Sequence, residues 1–286
     1  MSQRAGQISW VNLSGGDFVE RPDAAQIVAG VTAGFPDLAL FDFPTAGQDT
    51  AATLAALEPA LDSDVPRIYV TVSIDGDDAT HDRIRGVQGS AARARATLRR
   101  LQGIRRRGFS AVAGMTLSRH NLPTSPPPRP LDMLPKTLDL ETLHLNLAHH
   151  SSHYYRNPTD VTPPTASALA LVDELLSRPA SLSPLQWMER RYWTLAKRYL
   201  SHGDVGGRCA ALQASVYLGP DMTVQPCTIF DKPLGRLSEV DLDLSRLAEL
   251  PGAGAAWSAV EQRGCPQCWS PCEAFPTLLV GLGRPL

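Results

Sequence analysis

No cysteine precedes Cys209 in this chain of 286 residues, and the five that follow all lie in its last third. That distribution excludes a disulfide framework threaded through the whole fold. In a reducing compartment, a late odd-numbered cluster reads as metal ligands before disulfides. Long apolar runs are also missing. The opening "MSQRAGQISW" is not a signal peptide and no segment approaches a membrane span, so the cytoplasm is the default location. Nor does one sign of charge dominate. With 27 Lys and Arg against 29 Asp and Glu, the net charge of −2 gives no footprint for nucleic acid or an anionic membrane. The run of Arg93, Arg95, Arg99, Arg100, Arg105, Arg106 and Arg107 is interrupted by apolar residues and is expected to be a solvated helix face.

What is present is a repeated unit. Strands are predicted at 8–14, 38–43, 67–75, 110–118 and 142–150, with helices at 22–33, 50–61 and 89–108 between them. The last of these helices opens on a Gly-Ser cap and closes on Gly108. The strands are short, β-branched or Leu-rich and apolar on both faces, as in a parallel sheet covered by helices. The fold class is therefore α/β, part of a barrel or an open wound sheet. The proline-rich stretch 122–136 is expected to be an extended loop, and helices follow at 165–177 and 184–200. Near Gly206-Gly207 the pattern changes to cysteines and short strands. The domains expected are 1–205, and 206–286 as a small cysteine-rich α+β unit.

In parallel α/β architectures, functional groups sit after the C-terminal ends of the strands. Those places here hold Ser14-Gly15-Gly16-Asp17, then Ser73, Asp75 and Gly76, then Ser118 to Asn121, then His149, His150, Ser151 and His153. So many polar strand ends point to a ligand site, because buried polar groups must each find a partner.

These residues carry a resemblance. "WVNLSGGDFVERPDAAQIV" is similar to the second strand of radical S-adenosylmethionine (SAM) enzymes. "VSIDGDDATHDRIRGVQGSAARARATLRRLQGIRRRGFSAVAGMTLSRHN" resembles members with a C-terminal SPASM or twitch extension. The C-terminus agrees, with Cys209, the hairpin "SVYLGPDMTVQPC" ending at Cys227, then "CPQCWSPC". The resemblance covers nearly the whole chain. It implies a partial TIM-like barrel and a SAM site at Gly15, Gly16, Asp17, Ser73, Asp75, Ser118 and Asn121. The implied activity is hydrogen abstraction from a peptide or small molecule by a 5′-deoxyadenosyl radical. An auxiliary cluster would anchor substrate or accept an electron, and a reductant such as flavodoxin or ferredoxin would serve the active enzyme.

The departures from the family are as informative. Its C-x3-C-x2-C loop, which holds the SAM-cleaving [4Fe–4S] cluster, has no counterpart here, and neither does the first βα unit of on the order of 30 residues. Either the protein begins upstream of this chain, or it is a degenerate, non-catalytic SAM- or iron–sulfur-binding partner; as given it would not cleave SAM. A missing unit would also leave the first strand as a sheet edge. Asp17 stands where the family has Glu, one methylene shorter. Met222 stands where the hairpin turn has Gly, so a different turn type is expected.

The resemblance implies an auxiliary [4Fe–4S] cluster on Cys209, Cys227, Cys265 and Cys268, with Cys272 a fifth candidate. Zinc is the rival, since four thiolates suit it equally. Zinc ribbons, however, place a C-x2-C knuckle on both sides, and here 17 residues separate Cys209 from Cys227. His149 and His153 share a helical spacing, but Asn157-Pro158 argues for loop or pocket histidines. His81-Asp82 and Arg85-Gly86 read as a capped, salt-bridged helix start. Trp187, Tyr192 and Trp193 read as core packing.

Overall fold

The computed structural model describes residues 8–157, 161–179 and 184–281. Five strands, β1 (Trp10–Asn12), β2 (Leu40–Thr45), β3 (Arg67–Ser73), β4 (Phe109–Leu117) and β5 (Leu143–Leu147), form one sheet in sequence order. The pairs β1–β2, β2–β3 and β3–β4 are parallel. With helices between the strands, this is the mixed α/β architecture the sequence predicts, consistent with a partial TIM-like barrel. The chain separates into two compact units, one of 1–115 with 134–145, the other of 116–133 with 146–286. Helices expected in the first domain therefore share a unit with the cysteines.

In the first unit, α1 (Ala24–Gly34) packs on α2 (Thr50–Leu61), and α3 (Asp78–Arg85) on α4 (Ser90–Gln102). Strand alternation sets two faces. Phe41, Phe43, Ile68, Val70 and Val72 are fully buried, whereas Asp42, Tyr69, Thr71 and Ser73 are half-buried. α2 runs where the sequence places it, its first turn closed by the Asp49 carboxylate accepting from the Ala52 N–H at 2.9 Å.

α4 opens on Gly89 and Ser90 as the sequence predicts, and the Asp82 carboxylate closes its first turn, accepting from Gly89 N at 2.6 Å and Ala91 N at 2.9 Å. Its other end differs, since the helix stops at Gln102, short of Gly108. Arg106 therefore lies outside it and is no solvated face. Its guanidinium donates to the carbonyls of Leu61, Ser63 and Val65 at 2.8, 2.8 and 2.9 Å, closing the C-terminal end of α2.

The second unit holds α5 (Thr165–Ser177), α6 (Pro184–His202), α7 (Ala253–Glu261) and α8 (Pro271–Val280). It also has a three-stranded antiparallel sheet of β6 (Tyr217–Leu218), β7 (Thr223–Gln225) and β8 (Gly235–Arg236). The 122–136 loop contains one short 3-10 turn at Pro130–Met133. Tyr192 and Trp193 are buried as expected, but Trp187 is 46% exposed, with the Arg191 guanidinium 6.0 Å over its ring. Among the described residues no helix is long and apolar enough to cross a membrane.

The β6–β7 turn corrects the expectation about Met222. The turn keeps its left-handed residue, and Met222 itself adopts it at φ +67°. Its N–H donates to Gly219 O at 3.0 Å, so the turn is held although the residue type is unfavourable. Met222→Gly is expected to stabilise this unit by about 1 kcal/mol, less than the full left-handed penalty because glycine also loosens the unfolded chain. A rise in the urea midpoint at constant slope would verify it.

Candidate functional site

Two sets of predicted residues fall within the first unit. The loop after β1 carries Gly15 at φ +95° and Gly16 at φ +53°, conformations side chains rarely adopt, and a Cβ on Gly16 would meet nothing within 4 Å. The backbone there borders open space. Asp17 follows. One of its carboxylate oxygens, Oδ2, accepts from Thr45 Oγ1 at 2.9 Å and from the Ala46 N–H at 2.8 Å. The other, Oδ1, is buried and has no hydrogen-bond partner among the described residues. A carboxylate fixed on one side and orphaned on the other suits a donor-bearing, cationic ligand.

After β3 the picture changes. Ser73 lies on the half-buried face. The Asp75 Oδ2 atom takes the Arg85 Nε and Nη2 donors at 2.8 and 2.7 Å, and Asp75 N donates to His81 Nδ1 at 3.0 Å. His81 is fully buried, its Nε2 3.1 Å from Ser90 Oγ, and burial lowers its pKa ahead of the opposing pull of Asp75. Thus His81, Arg85 and Asp75 brace α3 under the strand end, in line with the structural reading of that motif.

Within the second unit, Ser118 and Asn121 come together. Asn121 Oδ1 accepts from Ser118 N at 2.8 Å, and its Nδ2 donates to Thr116 O at 2.8 Å. They close a turn of their own. His149 and His153 do not converge. His149 is buried edge-on to Tyr199, and desolvation depresses its pKa to about 4. The His153 Nε2 lies 3.0 Å from Cys227 O. Pro158 lies outside the described residues.

The cysteines are brought together by elements distant in sequence. Cys209 precedes the hairpin, Cys227 follows β7, Cys265 and Cys268 follow α7, and Cys272 is in the first turn of α8. One anchor is Tyr192 on α6. Its ring stacks on Trp269 at 5.8 Å, its hydroxyl donates to Trp269 O at 3.1 Å, and Trp269 Nε1 returns a bond to Tyr192 O at 2.9 Å. This locks the residue after Cys268. Another anchor is the buried cluster of Val224, Leu234, Leu237, Val240 and Ala256, which ties the small sheet to α7.

Cys209, Cys227, Cys265 and Cys268 line one cavity of about 60 Å³, with Glu273 and Thr277 on its wall. Packed interiors leave few voids larger than a water, and this one would hold several. The sulfurs are met by N–H donors. Cys227 Sγ accepts from Ile229 N at 3.4 Å and Phe230 N at 3.2 Å, Cys209 Sγ from Ala211 N at 3.4 Å, and Cys265 Sγ from Gln267 Nε2 at 3.3 Å. Desolvation pushes the Cys209 thiol up to about 11, the Cys227 thiol up to about 12, and Cys268 upward as well. Cys272 is not on the cavity wall; it acts instead on the Tyr155 hydroxyl, whose pKa rises through burial and then through that thiol. Among the described residues no three His, Cys, Asp or Glu side chains gather tightly enough for a single metal ion.

The sequence did not point to Glu273. It is buried, with its Oε2 accepting from Ser215 Oγ at 2.5 Å, and desolvation raises its pKa to about 8. Its adjacency to Cys272 was the only available signal.

No family model and no curated protein matches the chain. Among solved structures, hexahistidine-tagged anSMEcpe with bound AdoMet aligns at 12% identity and a TM-score of 0.51, over 86% of this chain and 65% of that one. Native anSMEcpe with bound AdoMet and a peptide aligns at 12% identity and a TM-score of 0.48, over 86% and 68%. The chain thus spans about two thirds of the length of these structures. At this identity the likeness to the first is one of fold.

Proposed function

We propose that this is a radical SAM protein of the SPASM or twitch type, with SAM held at Gly15, Gly16 and Asp17 and one auxiliary [4Fe–4S] cluster on Cys209, Cys227, Cys265 and Cys268. The observation that carries it is four cysteines lining one cavity, the sulfurs of Cys209, Cys227 and Cys265 met by backbone and side-chain N–H groups. Such donors stabilise thiolates that bind iron. Zinc fits less well. Zinc ribbons place a C-x2-C knuckle on both sides, and here only Cys265 and Cys268 form one, with 17 residues between Cys209 and Cys227. A cluster several ångströms across needs its ligands set apart around a void.

SAM binding is supported by Asp17. The orphaned Oδ1 offers an acceptor to an amino group, and Thr45 with Ala46 N holds the carboxylate in place. The solved structure of similar fold carries AdoMet. When bound, SAM with a reducing cluster supplies hydrogen-atom abstraction from a substrate, a peptide or small molecule in this reading. A second reading is a SAM- or iron–sulfur-binding protein without catalysis.

Anaerobic reconstitution with iron and sulfide tests the proposal. A brown protein with about four iron and four sulfide per chain is expected, together with SAM retained on equilibrium dialysis. A colourless protein that takes up one zinc ion instead overturns it. Formation of 5′-deoxyadenosine on reduction separates the catalytic reading from the second.

A further inference from the structure

Cys209 and Cys227 meet their N–H donors on the backbone, at Ala211, Ile229 and Phe230. Cys265 is met by a side chain. Gln267 Nε2 lies 3.3 Å from its Sγ, and the same nitrogen donates to Arg263 O at 2.9 Å and to Cys265 O at 3.4 Å. An amide nitrogen carries two hydrogens, so one serves the Arg263 carbonyl and the other is left for Cys265.

Two observations set this amide apart. The first is its orientation. Arg263 Nη2 donates to Gln267 Oε1 at 3.2 Å and lies 3.5 Å from Asp204 Oδ2. A guanidinium can only donate, so it keeps the amide oxygen on its own side and leaves the nitrogen toward the sulfur. Reversed, the amide would aim an oxygen at a thiolate. Asp204, Arg263, Cys265 and Gln267 all line the cavity. The second is the backbone. Gln267 stands between the two cysteines of the C-x2-C knuckle, after Pro266, at φ +54°. Turns with a left-handed third residue favour Gly or Asn there, because a Cβ crowds the following carbonyl. The long side chain is held in that conformation by its own contacts and by the Tyr199 hydroxyl, which donates to Gln267 O at 3.4 Å. Glycine would relieve the crowding and keep the turn. What glycine could not supply is the N–H at Cys265 Sγ.

We propose that Gln267, aligned by Arg263 and Asp204, is a positioning residue that donates to the Cys265 thiolate of the auxiliary cluster and so raises the potential at which the cluster accepts an electron. This deepens the function proposed above and rests on that reading. A cluster gains negative charge on reduction, and a donor to a ligand sulfur stabilises the more negative state more. Without the donor, reduction becomes harder.

The test uses the full chain reconstituted anaerobically with iron and sulfide, its reduced fraction followed by electron paramagnetic resonance as the solution potential is varied. Gln267→Met keeps the side-chain length and the left-handed backbone but has no donor. It should bind about four iron, like the parent. At the parent's midpoint it should favour the oxidised over the reduced form by about fivefold or more, a fall of about 40 mV at 59 mV per tenfold for one electron. A residue that only shapes the turn would leave this ratio unmoved. The parent gives a second measurement that needs no variant. Gln267 is the one glutamine on the cavity wall among the described residues. Cell-free synthesis with glutamine carrying 15N in its amide should therefore add a 15N coupling to the reduced cluster in pulsed resonance spectra. A Gln267→Met ratio within about 1.5-fold of the parent's, or a parent without that coupling, would overturn the proposal, while bound iron leaves the radical SAM reading standing. A parent that takes up no iron overturns that reading, and this proposal with it.

Discussion

Cys209→Ala, Cys227→Ala, Cys265→Ala and Cys268→Ala should each lose most of the iron and sulfide that the parent protein takes up, whereas Cys272→Ala should keep nearly all of it. The first four thiols share one cavity wall and the fifth does not. A cluster bound by four thiolates loses both a bond and a neutralising charge with each deletion, and the deletion also opens the void further to water. For the buried Cys227, removing the thiol should cost the apo protein little, since alanine keeps the Cβ and the N–H groups of Ile229 and Phe230 lose only weak sulfur acceptors. Iron loss would then not be secondary to unfolding, and thermal melts of the apo variants would verify this. Iron retained by Cys209→Ala but lost by Cys272→Ala would reassign the ligand set.

Cysteine spacing made the site legible because a knuckle such as Cys265-Cys268 is local. Its depth was not legible. The pairing of Tyr192 with Trp269 spans 77 positions, and nothing near either residue announces it. The same divide runs through the fold. α2 is read correctly from end to end, since its cap, Asp49, lies beside its first residue. α4 is read correctly at its start, where Gly89 is the N-cap, and misread at its end, because Arg106 is drawn off to the carbonyls behind α2. Met222 shows a third kind of miss. Residue preference forbids a left-handed turn there, yet the hydrogen-bonded hairpin overrides it at about 1 kcal/mol.

Gly108, which the sequence offers as a helix terminus, has a different and more demanding task. It stands at φ +82°, just ahead of β4, and its carbonyl accepts from Ile68 N at 2.9 Å, the first link between β3 and β4. A Cβ there would lie 2.0 Å from the Pro66 carbonyl oxygen. That oxygen belongs to the backbone, and the proline ring limits how the chain can swing it away. Gly108→Ala therefore incurs the left-handed penalty of about 1–2 kcal/mol and a clash that only displacement of the strand can relieve, for a total on the order of 3 kcal/mol or more. Gly86→Ala separates the two contributions. It has a similar φ of +69°, but its added Cβ would meet nothing within 4 Å, so it should cost only about 1 kcal/mol. Urea unfolding followed by far-UV circular dichroism would measure both. Equal losses in the two variants would mean that the Pro66 carbonyl yields freely, and that close approach of β3 and β4 at this end does not require glycine.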